Sequence, residues 1–131
     1  MATSKERKNQ LIKWANEVIA NSNICKNGVI VSDSYNGQIA AFSVSVALSS
    51  LKPAVALYYS GKGSSDVDKK EIINLLAAMY SQDVASKSPA EFYQLIINTS
   101  DRELPELQKR ITEYSIALKL AVRTFKFKGD E

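Results

Sequence analysis

Apolar residues recur at helical spacing through most of this chain, and polar residues fill the positions between them. Residues 4–22 carry one apolar stripe, and the segment from Leu107 to Phe125 carries a second. Each pattern predicts an amphipathic helix, and the C-terminal pattern is the clearest in the chain. The stripes comprise Leu11, Trp14, Ala15, Val18 and Ser22 in the first segment, and Leu107, Ile111, Tyr114, Leu118, Ala121 and Phe125 in the second.

Two further helices are predicted between these segments. Residues 66–81 place Ile72, Leu75, Leu76 and Met79 on one face, after a possible capping box formed by Ser65 and Asp68. A stronger start signal, Ser-Pro-Ala-Glu at 88–91, opens a helix that runs to about Ile97. Ser100 or Asp101 is predicted to cap the last helix, with Pro105 in its first turn.

The apolar stretch from Ser34 to Ser50 allows two interpretations. Its Asn36-Gly37 pair between apolar runs is a hairpin signal, and Val29–Ser34 before it has the β-branched content of a short strand. In the first interpretation, residues 29–33, 39–48 and 54–59 form a small antiparallel sheet.

In the second interpretation, residues 37–51 form one buried helix with Asn36 as its N-cap. A short second helix then covers 53–60, with Pro53 at its first position. The length of the stretch and its alanines favour the helix, whereas the stiff valines at 44 and 46 favour the strand. Periodicity alone leaves both open.

Composition indicates an ordinary globular protein. The chain has 131 residues, of which 45% are hydrophobic and 24% are charged. This length predicts a single domain over 1–131, with short flexible termini at about 1–4 and 128–131. The single cysteine, Cys25, permits no internal disulfide, and no signal peptide or membrane-spanning run is visible. We therefore expect a cytoplasmic protein.

The residue types that usually carry catalysis are scarce. The chain has no histidine, and Cys25 alone can build neither a zinc site nor a Cys–His nucleophile. Asp66 and Asp68 suit the start of a helix, and Ser-Gly-Lys-Gly-Ser-Ser at 60–65 lacks the order of a phosphate-binding loop. The five tyrosines in helical context are expected in the core, and only Tyr35 is expected to be exposed. We expect no enzymatic activity, no cofactor and no metal.

Basic residues cluster at both ends of the chain, although the net charge is only +3. Lys119, Arg123 and Lys126 fall at i, i+4 and i+7, one stripe of the last predicted helix, and Lys128 extends it. Near the N-terminus, Lys5, Arg7, Lys8 and Lys13 are opposed only by Glu6. The clusters are either solvated helix surfaces or contacts for the phosphates of a nucleic acid. Aromatic residues in the pattern of a base-reading motif are absent, so sequence-specific recognition is not indicated.

Two segments resemble a known family. "NGQIAAFSVSVALSSLKPAVALYYS" at 36–60 is similar to an Asn-Gly helix followed by a short helix, and "EYSIALKLAVRTFKF" at 113–127 is similar to a terminal helix. Both resemble the small all-helical subunit of type III-B (Cmr-type) CRISPR RNA-guided effector complexes. The resemblance implies an all-α fold, a compact bundle of about five to six helices, and favours the helix for the stretch from Ser34 to Ser50.

The same resemblance implies a function and partners. Such subunits are not nucleases: they stack head to tail inside the complex and contact the backbone of the guide RNA and the target RNA in antiviral defence. The expected partners are these RNAs, the other subunits of the complex and further copies of this chain, and no membrane. The candidate contacts to the RNA backbone are Lys119, Arg123, Lys126 and Lys128, with Lys52, Lys69, Lys70, Arg7 and Lys8 as weaker candidates.

Two other classes of function stay open. A small helical adaptor or regulator that binds one protein, and no nucleic acid, would show the same apolar and basic surfaces. An enzyme with an α+β fold requires the strand interpretation of 39–48, and no acid–base constellation supports it.

Overall fold

The computed structural model describes residues 4–60, 68–84 and 89–128, which form six helices and three strands of two residues each. The helices are α1 (Ser4–Ala20), α2 (Ser34–Ser49), α3 (Leu51–Ser60), α4 (Lys70–Val84), α5 (Pro89–Asn98) and α6 (Leu104–Val122). The strands are β1 (Cys25–Lys26), β2 (Val29–Ile30) and β3 (Lys126–Phe127). The predicted bundle of five to six helices is confirmed, and the small sheet is an addition to it.

Helix α6 occupies the middle of a three-helix layer. It runs parallel to α1, because Arg7 contacts Glu113 and Asn16 contacts Thr124. It runs antiparallel to α2, because the hydroxyls of Ser43 and Ser115 lie 2.8 Å apart and the N–H of Leu51 donates to the side chain of Gln108. The layer therefore brings the C-terminal ends of α1 and α6 to the same end of the molecule as the start of α2.

The stretch with two interpretations is a helix, so the strand interpretation of 39–48 is wrong. Helix α2 buries Tyr35, Ile39, Phe42 and Val46 at helical spacing. It begins at an N-cap Asp33, so the predicted cap, Asn36, lies inside the helix. Ser50, with φ of 80°, ends α2, and Pro53 is the third residue of α3.

The hairpin of this chain is built on the other Asn-Gly pair. Asn27 and Gly28 have φ of 54° and 80°, and they join β1 to β2. Positive φ at both central residues is what a two-residue hairpin turn of type I′ requires. Asn36-Gly37 forms no hairpin, because it is the third and fourth residue of α2. The predicted strand over 29–34 is reduced to Val29–Ile30.

The last helix is shorter than predicted. It ends at Val122, where the hydroxyl of Thr124 donates to the carbonyl oxygen of Ala121 at 2.7 Å. The chain then turns and adds β3 to β2 in parallel, and Phe125 packs against the core from this turn instead of from a helix. The predicted cap of α6 at Ser100 or Asp101 is wrong, because the N-cap residue is Glu103, whose own N–H donates to Ser100 Oγ.

Two other predictions near α4 are wrong. Tyr35 is 5% exposed, and its hydroxyl accepts from the N–H of Asp68 at 3.1 Å. Helix α4 begins at Lys70 and not at residue 66. The proposed cap at Ser65, the glycine-bearing segment after Ser60 and the start signal at Ser88 lie outside the described residues, as do residues 1–3 and 129–131 of the predicted flexible termini.

Candidate nucleic-acid interface

Two lysines lie in one row of the three-stranded sheet, one on each side of Val29. Lys26 of β1 pairs with Val29 of β2, and Val29 pairs on its other side with Lys126 of β3. Directly opposed residues point to the same face of a sheet. Lys26 and Lys126 are both exposed, and the next row, Cys25–Ile30–Phe127, turns toward the core.

Three more cations lie at or after the end of α6, from which the chain continues into β3. Lys119 lies in the last turn of the helix, Arg123 is its C-cap, and the N–H of Lys128 donates to the carbonyl oxygen of Ile30 at 2.9 Å. Arg123 and Lys128 are exposed, and Lys119 is half-buried. We call Lys26, Lys119, Arg123, Lys126 and Lys128 the basic end.

The predicted stripe of Lys119, Arg123 and Lys126 on one helix is therefore wrong in its geometry. Because α6 ends at Val122, Lys126 is held by the sheet and not by the helix. The sheet still places it at the same end of the molecule as Lys119 and Arg123. Its neighbour Lys26 was absent from the predicted set, although Lys-Asn-Gly-Val-Ile at 26–30 is a recognisable hairpin signal that places Lys26 next to the turn.

The described part of the chain provides no ion-pair partner for the cations of the basic end. Among residues 4–60, 68–84 and 89–128, none of the five forms an ion pair through its side chain. The ends of α1 and α2 at this side contribute the exposed carboxylates of Glu17 and Asp33. The five cations outnumber these two carboxylates, so the described part of this surface carries a positive charge that favours a polyanion. Asp130 and Glu131, which follow Lys128 in the sequence, lie outside the described residues. Positive side chains also suit the C-terminal end of a helix.

The weaker candidates are spread over the rest of the surface, and several have partners inside the protein. Lys52 Nζ donates to the carbonyl oxygen of Thr99 at 2.8 Å and so ties α3 to the end of α5. The ammonium groups of Lys69 and Lys70 each lie 5.3 Å from the ring centre of a tyrosine, Tyr58 and Tyr59 respectively.

The two N-terminal candidates differ from each other. Arg7 is part of an internal ion-pair cluster, in which its two terminal nitrogens donate to the carboxylate of Asp83 at 2.7 and 2.9 Å. Lys8 is exposed and borders a groove between α1 and α6. The structure does not bring either residue to the basic end.

Asp83 is the most heavily bonded carboxylate of the described chain. Besides Arg7, it accepts from Arg110 at 2.9 Å and from the hydroxyl of Tyr114 at 2.6 Å, and its side chain is only 7% exposed. The hydrogen bonds from Arg7 lower the pKa of Asp83 from the ordinary 3.8 to about 2. Burial, followed by the bond to Asp83, raises the pKa of Tyr114 well above its usual value.

The hydrogen bonds of this cluster join α4 to α1 and α6, which is a structural role. Asp83 stays ionised at neutral pH and Tyr114 stays protonated, so neither exchanges a proton there. The described residues contain no group of three side chains able to hold a metal ion. None of the helices in the described part of the chain is both long and apolar enough to cross a membrane.

No family model, curated protein or solved structure matches this chain. The resemblance to the small Cmr-type subunit therefore stays a prediction from the sequence.

Proposed function

We propose that this chain is a non-catalytic small subunit of a type III CRISPR ribonucleoprotein effector complex, which contacts the backbone of guide and target RNA in antiviral defence. The observation that carries the proposal is the basic end. Lys26 and Lys126 flank Val29 in one row of the sheet, next to Arg123 and Lys128, and none of these cations is neutralised by a described side chain.

The chemistry of the basic end suits a backbone contact. Long cationic side chains bind phosphates without reading bases, and their binding releases counterions from the nucleic acid. Phe125 and Phe127, the aromatic residues that alternate with these cations, are half-buried and pack against the core, so we expect backbone contacts and not base stacking to supply most of the binding. The expected ligand is an RNA duplex or strand of any sequence.

The first test measures the affinity for RNA against salt concentration. Replacing Arg123 and Lys126 by alanine should weaken binding, and the slope of log K against log salt should fall by about 0.9 for each duplex phosphate that the variant no longer binds. The matched control replaces Arg102 and Lys109 by alanine, which removes the same charge from exposed positions before and within the first half of α6. Equal slopes for the two double variants would contradict the proposal.

A second candidate function, a helical adaptor that binds a protein and no nucleic acid, is favoured by a groove between α1 and α6. The groove has a volume of about 220 Å³, and Ile116 and Leu120, each 44% exposed, lie one turn apart along it. Purified protein without bound nucleic acid, and without affinity for RNA at low salt, would favour this function over the first.

A further inference from the structure

Helix α2 has an exposed stripe without polar side chains that runs from its first turn to its last. Gly37, Ala41, Val44 and Leu48 follow one another at i, i+4, i+7 and i+11, which is one stripe of a helix. Leu48 is 83% exposed and Val44 is 56% exposed, and Gly37 and Ala41 are exposed as well. The opposite side of the same helix is the buried one. We call these four residues the α2 stripe.

No charged residue occurs anywhere in α2. The polar residues of α2 are uncharged, and the exposed Val44 and Leu48 form an apolar surface of the kind that marks a contact. The absence of charge also means that two copies of this helix meet without repulsion between like charges.

The sizes of the side chains increase steadily along the α2 stripe, from glycine through alanine and valine to leucine. The stripe is also symmetric about a point between Phe42 and Ser43, so antiparallel copies pair Gly37 with Leu48 and Ala41 with Val44. Each pair then joins a small residue to a large one, so the combined side-chain volume of a pair stays similar along the stripe. The stripe is about 16 Å long. A parallel pair would set leucine against leucine and glycine against glycine.

Gly37 supplies a separate observation. A Cβ at this position would meet nothing within 4 Å in the chain itself, and its backbone needs no positive φ. Glycine within a helix is destabilising by up to about 1 kcal/mol relative to alanine. The monomer therefore does not require glycine at this position, and glycine is the residue that allows the closest approach by a leucine of a second copy.

We propose that two copies of this chain associate through the α2 stripe, with their α2 helices antiparallel about a two-fold axis. This contact is isologous and closes on itself, so it differs from head-to-tail stacking and does not rest on the proposed binding of RNA. Specific interfaces of standard size bury about 800 Å² per partner, and a single pair of helices buries less, so we expect a weak, reversible dimer.

The test is sedimentation velocity of the full chain, free of nucleic acid, over a concentration series from micromolar to near-millimolar. The mass should rise with concentration from the 14.5 kDa of one chain toward twice that value. Leu48→Asp should weaken association by at least about tenfold. The control, Leu57→Asp, changes a leucine that is 55% exposed on α3 and should leave association unchanged.

A compensating pair separates self-association from binding of another protein. Gly37→Leu alone should weaken the dimer at least about tenfold, since it sets leucine against Leu48, and adding Leu48→Ala should restore it. Replacing this glycine favours the helix, so unfolding does not explain a weaker dimer. A chain that stays monomeric throughout, equal effects of Leu48→Asp and Leu57→Asp, or no rescue by the second substitution would each overturn the proposal. If the chain stays monomeric, the α2 stripe is instead a contact surface for a different protein.

Discussion

At the scale of single residues, Asp83 does the most to join distant parts of the chain. Its carboxylate binds Arg7 of α1 and Arg110 and Tyr114 of α6, while Asp83 itself belongs to α4. These partners lie 76, 27 and 31 residues away in sequence. A sequence pattern shows only local periodicity, so it contains no signal for a cluster of residues that are distant in sequence. Because this cluster could not be foreseen, Arg7 was predicted to lie on a ligand-binding surface.

The low pKa of Asp83 predicts how the stability of the protein depends on pH. Since the pKa falls from 3.8 in the unfolded chain to about 2 in the folded one, the unfolded chain binds the proton more readily. The contribution to stability is therefore complete above about pH 5 and is lost as the pH falls toward 2, and it amounts to about 2 kcal/mol. Urea unfolding at a series of pH values measures it.

The variant Asp83→Asn is the comparison for this measurement. It should be less stable than the wild type at pH 7 by about 2–3 kcal/mol, because two arginines lose their shared carboxylate, and the difference should shrink as the pH falls. Asp33→Asn, at an exposed carboxylate without an ion pair among the described residues, should change stability by less than about 0.5 kcal/mol. If Asp83→Asn keeps the full acid dependence of the wild type, the role given to Asp83 is wrong.

At the scale of elements, the sequence predicts the long helices well and their ends poorly. The stripes of α1, α4 and α6 are visible because each helix buries one face over several turns. The end of α6 is not visible, because Phe125 continues the apolar spacing beyond Val122 while the chain has already turned toward β3. Burial alone does not show whether a residue reaches the core from a helix or from a turn.

The two Asn-Gly pairs show that a turn signal must be interpreted together with the residues on either side of it. The pair at 27–28 has Cys25-Lys26 before it and Val29-Ile30 after it, and these residues form the ladder of a hairpin. The pair at 36–37 follows Asp33, which starts a helix first. The position of β3 beside β2 depends on the path of the whole chain, so the row of Lys26 and Lys126 could not be predicted.

The attachment of β3 predicts an effect of one backbone hydrogen bond. Lys128→Pro removes the N–H that donates to Ile30, so it should lower the free energy of unfolding by about 1–2 kcal/mol. Lys128→Ala keeps the N–H and removes only an exposed side chain, so it should change stability by less than about 0.5 kcal/mol. Urea unfolding of both variants, without RNA, makes the comparison. Equal stability of the two would show that β3 is not held in this way.

At the scale of the whole molecule, the surface separates into regions of different chemistry. The basic end collects cations from the hairpin, the last turn of α6 and β3, while the α2 stripe carries no charge. Asp83 holds together the opposite half of the α1–α6 pair, near Arg7 and Glu113. The predicted set of basic residues is therefore divided by the fold into one cluster at the surface and several residues engaged elsewhere.

The central claim is that the basic end is the surface that meets the RNA backbone. Amide chemical shifts of the ¹⁵N-labelled protein, recorded during titration with a short RNA duplex at low salt, test it most directly. We predict that the largest changes fall on Lys26, Val29, Arg123 and residues 126–128, and that they vanish as salt is added. Changes centred on α4 or α5, or no changes at low salt, would contradict the account.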